Sequence, residues 1–252
     1  MADTPFEIKP ILFRSNLAEV APEFTNGTLL KSHFAALAHA LVHTPPESQH
    51  DLGIVGEFLS VASSLDTQFG ADATLPVVDI AEAADAALQS LAAIDMRFDP
   101  QSLAEQRQTL HKLAIGIGYW CMRHNLAIAS PALIVNALAA QSNAATSRQE
   151  TAAIFALMQG FIAHFEPTLQ SDLERSNPER PWRILNLNFT ITAIRSGDAA
   201  MIRFAFDTLN RHLPDERAGF YAEAFTLSSQ PGFPADTRRL IEAEVSRWTA
   251  MH

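Results

Sequence analysis

Apolar residues recur at helical spacing along nearly the whole chain, and that periodicity leaves little room for anything but packed helices. Leu30, Phe34, Leu37 and Leu41 stand four, seven and eleven residues apart and form one stripe over 28–43. Pro45-Pro46 closes that helix, because proline lacks an amide hydrogen and disfavours the α region in the residue before it. Leu52, Val55, Leu59 and Ala62 predict a second helix over 47–65. Ile80, Ala84, Leu88 and Leu91 predict a third over 76–94, on which Asp79, Glu82 and Asp85 read as a solvated face. Asp99-Pro100 is a start signal, with Asp as N-cap and Pro in the first turn. The helix after it is expected to run to Asn125 as the longest in the chain, with Leu103, Leu110, Leu113, Ile117, Trp120, Cys121 and His124 on one stripe. Ser130-Pro131 repeats the start device for a helix to Gln141, and Ile154, Leu157, Met158 and Phe161 mark another over 148–165.

Residues 184–192, Ile-Leu-Asn-Leu-Asn-Phe-Thr-Ile-Thr, alternate apolar and polar as a strand does. Ile184, Leu187, Ile191 and Ile194 also align at helical spacing. The helix is preferred, since a lone strand would bury unpaired backbone groups and no partner strand is evident elsewhere.

Beyond that point the helices come in pairs. Helices at 182–196 and 199–212 flank the turn Ser196-Gly-Asp198, and helices at 215–229 and 236–250 flank Gln230-Pro-Gly-Phe-Pro234. The first helices of the two pairs start about 33 residues apart, a period used by helical-hairpin repeats. Gly197 in the turn, Phe206 in the second helix and Pro214 at its end resemble a tetratricopeptide-type repeat over about 70 residues. The chain departs from that pattern at Asn186, Thr190 and Ala193 in the first helix and at Ile202 and Leu209 in the second. The resemblance implies stacked helix pairs. The expected fold is therefore all-α, built of antiparallel helix pairs, with a solenoid-like stack preferred over a closed bundle. Residues 1–27, with Pro5, Pro10 and Pro22, are expected to be an extended segment. Residues 28–252 are expected to form one domain, with a boundary, if any, near 95–100 or within 166–181.

Charge narrows the functions. The formal net charge of −10 lies wholly in the first 100 residues, where Lys9, Arg14, Lys31 and Arg97 face 14 acids. The remaining residues carry 14 basic and 14 acidic side chains. Without a basic run, neither nucleic acid nor an anionic membrane is an expected partner. Cys121 is the sole cysteine, which excludes an internal disulfide and a Cys-rich metal knuckle. The first residues, Met-Ala-Asp-Thr-Pro-Phe-Glu, lack the basic and apolar regions of a secretory leader, so a cytoplasmic location is expected.

No complete catalytic motif is present. Cys121 and His124, three apart on an apolar stripe, have the spacing of a thiolate–imidazole pair but read as core. Gly116-Ile-Gly118 lies within a helix, where a close helix–helix approach explains it better than a phosphate loop. The leading expectation is a non-catalytic interaction protein without a cofactor, binding a peptide or protein partner or a second copy of itself. Asn188, Arg195 and Tyr221 are its candidate contact residues. The alternative is a metal-dependent hydrolase. His50-Asp51 resembles the metal-binding pair of HD-type phosphohydrolases, and His39 and His43, four apart, supply further candidate ligands. A helical protein holding a small apolar ligand is a third class.

Overall fold

A computed structural model describes residues 17, 19, 21–71, 73–75, 78–98, 104–169, 179–230 and 233–249. Among them are eleven helices and no strand: α1 (Pro22–Thr25), α2 (Gly27–Ala40), α3 (Pro46–Phe69), α4 (Val78–Arg97), α5 (Ala104–Arg123), α6 (Ala132–Ala144), α7 (Arg148–Leu169), α8 (Pro181–Ser196), α9 (Ala199–His212), α10 (Arg217–Ser228) and α11 (Ala235–Thr249). The chain is all-α. No helix of the described residues is long and apolar enough to cross a membrane. Contacts group the chain into two compact units, residues 1–141 and 142–252.

Local chemistry sets the helix ends. Asn26 Oδ1 accepts from the amides of Thr28 and Leu29 at 2.9 and 3.2 Å and so caps α2. Ser147 and Glu150 form a capping box before α7. The Ser147 hydroxyl accepts from the Glu150 amide, and the Glu150 carboxylate accepts from the Thr146 and Ser147 amides. Those amide bonds hold the Glu150 carboxyl below its ordinary range. Gly197 closes α8 in the left-handed region at φ +67, and Asp198 opens α9 by accepting from Ala200 and Met201. A two-residue turn between α8 and α9 makes them an antiparallel hairpin.

In the first unit α5 is the central helix. It is buried on every side from Leu110 to Met122 except at Lys112, and α1, α2 and α4 pack against it. Gly116 permits the approach of α2, because a Cβ there would lie 2.2 Å from Leu30 Cδ2. Asp85 on α4 is not merely solvated. Its carboxylate accepts from the amides of Ala129 and Ser130 at 3.0–3.1 Å and ties down the chain ahead of α6. The α6 ladder begins with the Val135 amide on the Pro131 carbonyl, so Pro131 precedes the first turn.

Several boundaries differ from the sequence reading. α3, at 24 residues, is the longest described helix, and it continues four residues past 65 until Gly70, at φ +91, breaks it. α5 stops at Arg123, and Asn125 turns the chain at φ 55, so His124 lies beyond the helix. The start signal at Asp99-Pro100, Leu103 after it, and Pro178 with most of the connection before α8, lie outside the described residues. Within the stretch expected to be extended, residues 22–25 are helical.

In the second unit α8 lies between α7 and α9, each of which packs on it; α11 packs on both α9 and α10. The segment with strand-like alternation is helical throughout. Its polar residues bond back along their own helix: Asn186 to the Trp182 carbonyl, Asn188 to Ile184, Thr190 to Asn186 and Thr192 to Asn188, at 2.7–2.9 Å. Buried positions on α8 therefore take polar side chains without leaving them unpaired. α8 and α10 start 36 residues apart (Pro181 and Arg217), because a turn at Leu213–Glu216 precedes α10.

Candidate functional site

The histidines named in the sequence do not assemble a metal centre. α2 ends at Ala40, so His39 is in the last turn and His43 in the following loop, and their four-residue spacing is not a helical one. His39, His43 and His50 are exposed, and Asp51 is paired with Arg97 at 2.6 Å. Among the described residues, no three His, Cys, Asp or Glu side chains stand together as a metal site. Cys121 is fully buried, and burial pushes its thiol far above the usual range, so the thiolate needed for nucleophilic attack is suppressed.

The contact residues expected of the C-terminal helices are largely engaged within the fold. Tyr221, expected as a contact residue on the inner surface of the stack, is fully buried, with its ring edge-on to Phe206 and its hydroxyl donating to Asn210 Oδ1 at 3.1 Å. The aromatic filled core because α9 and α11 close over α10 at that point. Asn188 is half-buried and bonded to its own helix. Arg195 is exposed, and its guanidinium donates to Asn143 Oδ1 at 2.9 Å. Arg180 and Arg183 both pair with Glu216, and Arg217 lies over the Trp248 ring at 3.6 Å.

Two concavities carry polar groups. The first, about 60 Å³, lies in the first unit beside Leu30, Lys31, Ser63, Asp66 and Trp120. Its polar atoms satisfy one another. Lys31 Nζ donates to Ser63 Oγ at 2.8 Å, and Trp120 Nε1 donates to Asp66 Oδ1 at 3.0 Å. The fully buried His124 ring lies 2.8 Å from the same carboxylate oxygen and 2.6 Å from the Ala73 carbonyl. Arg123 donates to the Ala71 carbonyl at 2.6 Å. This group fastens the chain after α3 onto the end of α5 and leaves little for a ligand to satisfy.

The second concavity, in the second unit, differs in that respect. It is a groove of about 150 Å³ between α7 and α9, floored by α8. Gln159, Ile162, Ala163 and Glu166, at i, i+3, i+4 and i+7, are one face of α7. Phe204, Thr208, Arg211 and His212 are one face of α9, and Phe189 rises from α8. Phe189 is stacked on Phe155 at 4.3 Å and meets Phe204 edge-on, so the apolar floor is rigid.

A chain of hydrogen bonds sets the polar end of the groove. Asn186 Nδ2 donates to the Trp182 carbonyl, which leaves Asn186 Oδ1 as the acceptor 2.8 Å from His212 Nδ1. The proton of a neutral His212 is therefore on Nδ1, and Nε2 presents a lone pair. The His212 side chain is only 2% exposed, and burial holds it below the ordinary imidazole range; Glu166 opposes that shift and Arg211 assists it. Nε2 has no hydrogen-bond partner, although Glu166 Oε1 is 3.4 Å away. Gln159 Oε1 is likewise buried and unbonded. Two buried acceptors thus line one groove with nothing donating to them, an arrangement native interiors seldom leave unfilled.

Sequence reasoning missed Gln159, Asn186 and His212. The available signal was weak: isolated polar residues on three helices. No protein-family model matches the chain, and neither does any curated protein or solved structure.

Proposed function

We propose that the chain is a non-catalytic binding protein. Its helices, laid side by side in a solenoid-like manner, hold a peptide segment of a protein partner in the groove between α7 and α9. The reading rests on one observation: His212 Nε2 and Gln159 Oε1 are buried, unpaired and on the same groove. An unpaired buried acceptor costs about 1–3 kcal/mol, which an incoming donor recovers. The stacked Phe155–Phe189 pair and Phe204 supply a preformed apolar floor, so little ordering cost falls on binding. The reading also places the protein in the cytoplasm, where a single reduced thiol such as Cys121 is at home.

The test starts from peptides selected by display on the full chain, measured by fluorescence anisotropy. Ala163 is an exposed residue on the groove wall, so Ala163→Trp fills the groove without touching the core. Affinity is expected to fall about tenfold or more, the equivalent of ~1.4 kcal/mol. Selected peptides that bind wild type and Ala163→Trp equally would overturn the assignment, as would a selection that enriches none.

A further inference from the structure

Resting on the peptide-groove reading, we infer the chemistry of the group that enters. The groove between α7 and α9 is the seat of a lysine side chain of the partner peptide. Its alkyl stem lies against Phe189 and Phe204, and its ammonium donates to His212 Nε2 and the Glu166 carboxylate.

The inner surface of the groove presents acceptors. The bond from Nδ1 to Asn186 leaves Nε2 of the neutral ring without a proton. Gln159 Oε1 is unbonded, and Glu166 Oε1 lies 3.4 Å from Nε2. The Thr208 hydroxyl on the α9 wall already donates to the Phe204 carbonyl at 2.9 Å. An anion would meet a carboxylate and two lone pairs, and an apolar group would leave both buried acceptors unpaired. An ammonium brings N–H donors and a positive charge to the His212 lone pair and the Glu166 carboxylate, which lie 3.4 Å apart. The one cation among the lining residues, Arg211, is exposed, so its charge is hydrated and screened by salt.

Size points the same way. A cavity of about 150 Å³ is enough for a benzene-sized guest, and the groove has about that volume. A lysine side chain, a flexible four-carbon stem with a compact charge, matches it better than the longer and planar guanidinium. The stem contacts the ring faces and Ile162, and the charge stays at the half-exposed end marked by Glu166, which is 37% exposed.

The experiment uses the full chain with ¹⁵N-labelled histidine and three probes. These are Nα-acetyl-lysine N-methylamide, the norleucine derivative with the same stem but no nitrogen, and free n-butylamine. Binding is read as saturable change in the His212 Nε2 resonance and as Kd. The lysine derivative is expected to saturate, and the norleucine derivative to bind about tenfold more weakly or worse, the effect of a lost charge-assisted hydrogen bond. Glu166→Gln, at a position exposed enough to spare the fold, is expected to weaken the lysine derivative severalfold and leave norleucine unchanged. Equal binding of lysine and norleucine derivatives would overturn the ammonium assignment while keeping a peptide groove. Butylamine binding as tightly as the lysine derivative would overturn the peptide source. Saturation by none of the three would overturn the lysine seat, and the display selection then decides the peptide groove separately.

Discussion

Two glycines, both inside helices of the first unit, should respond in opposite directions to the same substitution. Gly53 in α3 is exposed, and a Cβ built on it meets nothing within 4 Å. Gly53→Ala should therefore gain the intrinsic helix preference alone, about 1 kcal/mol. Gly116 in α5 gains the same preference, but its Cβ would lie 2.2, 2.8 and 3.1 Å from Leu30 Cδ2, Cδ1 and Cγ. Contact with Cγ as well as the two methyls means that rotating the end of Leu30 does not clear the clash. The residue is 7% exposed, and α2 itself must shift. Overpacking of a filled core costs about 1–3 kcal/mol, and a 2.2 Å approach belongs near the upper end. Subtracting the propensity gain leaves Gly116→Ala less stable by about 1–2 kcal/mol. Urea unfolding followed by Trp fluorescence and far-UV circular dichroism measures both variants against wild type. A double-mutant cycle with Leu30→Ala localises the cause. Truncating Leu30 should cost about 2–3 kcal/mol in wild type and about 2–3 kcal/mol less in the Gly116→Ala background, where it also removes the clash. If Gly116→Ala stabilises the protein as Gly53→Ala does, or if the cycle shows no coupling, α2 does not approach α5 at Gly116.

Three further outcomes are expected. Removing the α9 cap with Asp198→Ala should cost about 1 kcal/mol in urea unfolding, since two helix-end amides lose their acceptor; a variant as stable as wild type would contradict that geometry. Cys121 should resist a thiol reagent in the native protein and react as soon as urea unfolds the first unit, because burial both shields the thiol and disfavours its thiolate; fast labelling of the native chain would refute this. Burial is the chief cause that holds both His111 and His212 below the ordinary imidazole range in the folded state. The unfolded chain then takes up protons near pH 6.5 that the native state refuses. The histidine contribution to stability is present above that pH and is lost as the pH falls through it. A urea midpoint that drops between pH 7.5 and 5.5 by less in His212→Gln than in wild type would agree with this. An unchanged drop would remove His212 from the account.

The parts of the fold that could be read from the sequence are those fixed by neighbours in the chain. The expected helix at 199–212 coincides with α9, and 182–196 misses α8 by one residue, because Gly197 and Asp198 specify that turn through their own backbone and side chain. Gly116 was also legible as a close approach, since a glycine inside a helix costs stability unless something lies near it. Burial was not legible. Tyr221 reads in the sequence as a candidate contact residue, and only packing against Phe206 and Asn210 of α9 encloses it. The groove was least visible. Gln159, Glu166 and His212 line one groove because α7 and α9 both pack on α8, and no single-sequence pattern encodes that.

Buried polar residues nevertheless divide into two kinds by a property the sequence does carry, side-chain length. The buried Thr190 and Thr192, and the half-buried Asn188, are short enough to close onto carbonyls four residues back. Their burial is therefore cheap, and they explain the misleading alternation along α8 without any ligand. Gln159 and His212 have longer side chains that project away from their own helices, so each needs an acceptor or donor from another element. His212 finds one on its Nδ1 side, in Asn186, and Gln159 Oε1 and His212 Nε2 find none. A short polar side chain inside a helix is therefore poor evidence of function, whereas a long one whose far end is buried and unpaired is good evidence of a missing partner. In this chain that distinction separates Asn188, Thr190 and Thr192, whose bonds close within α8, from Gln159 Oε1 and His212 Nε2, which have no such partner.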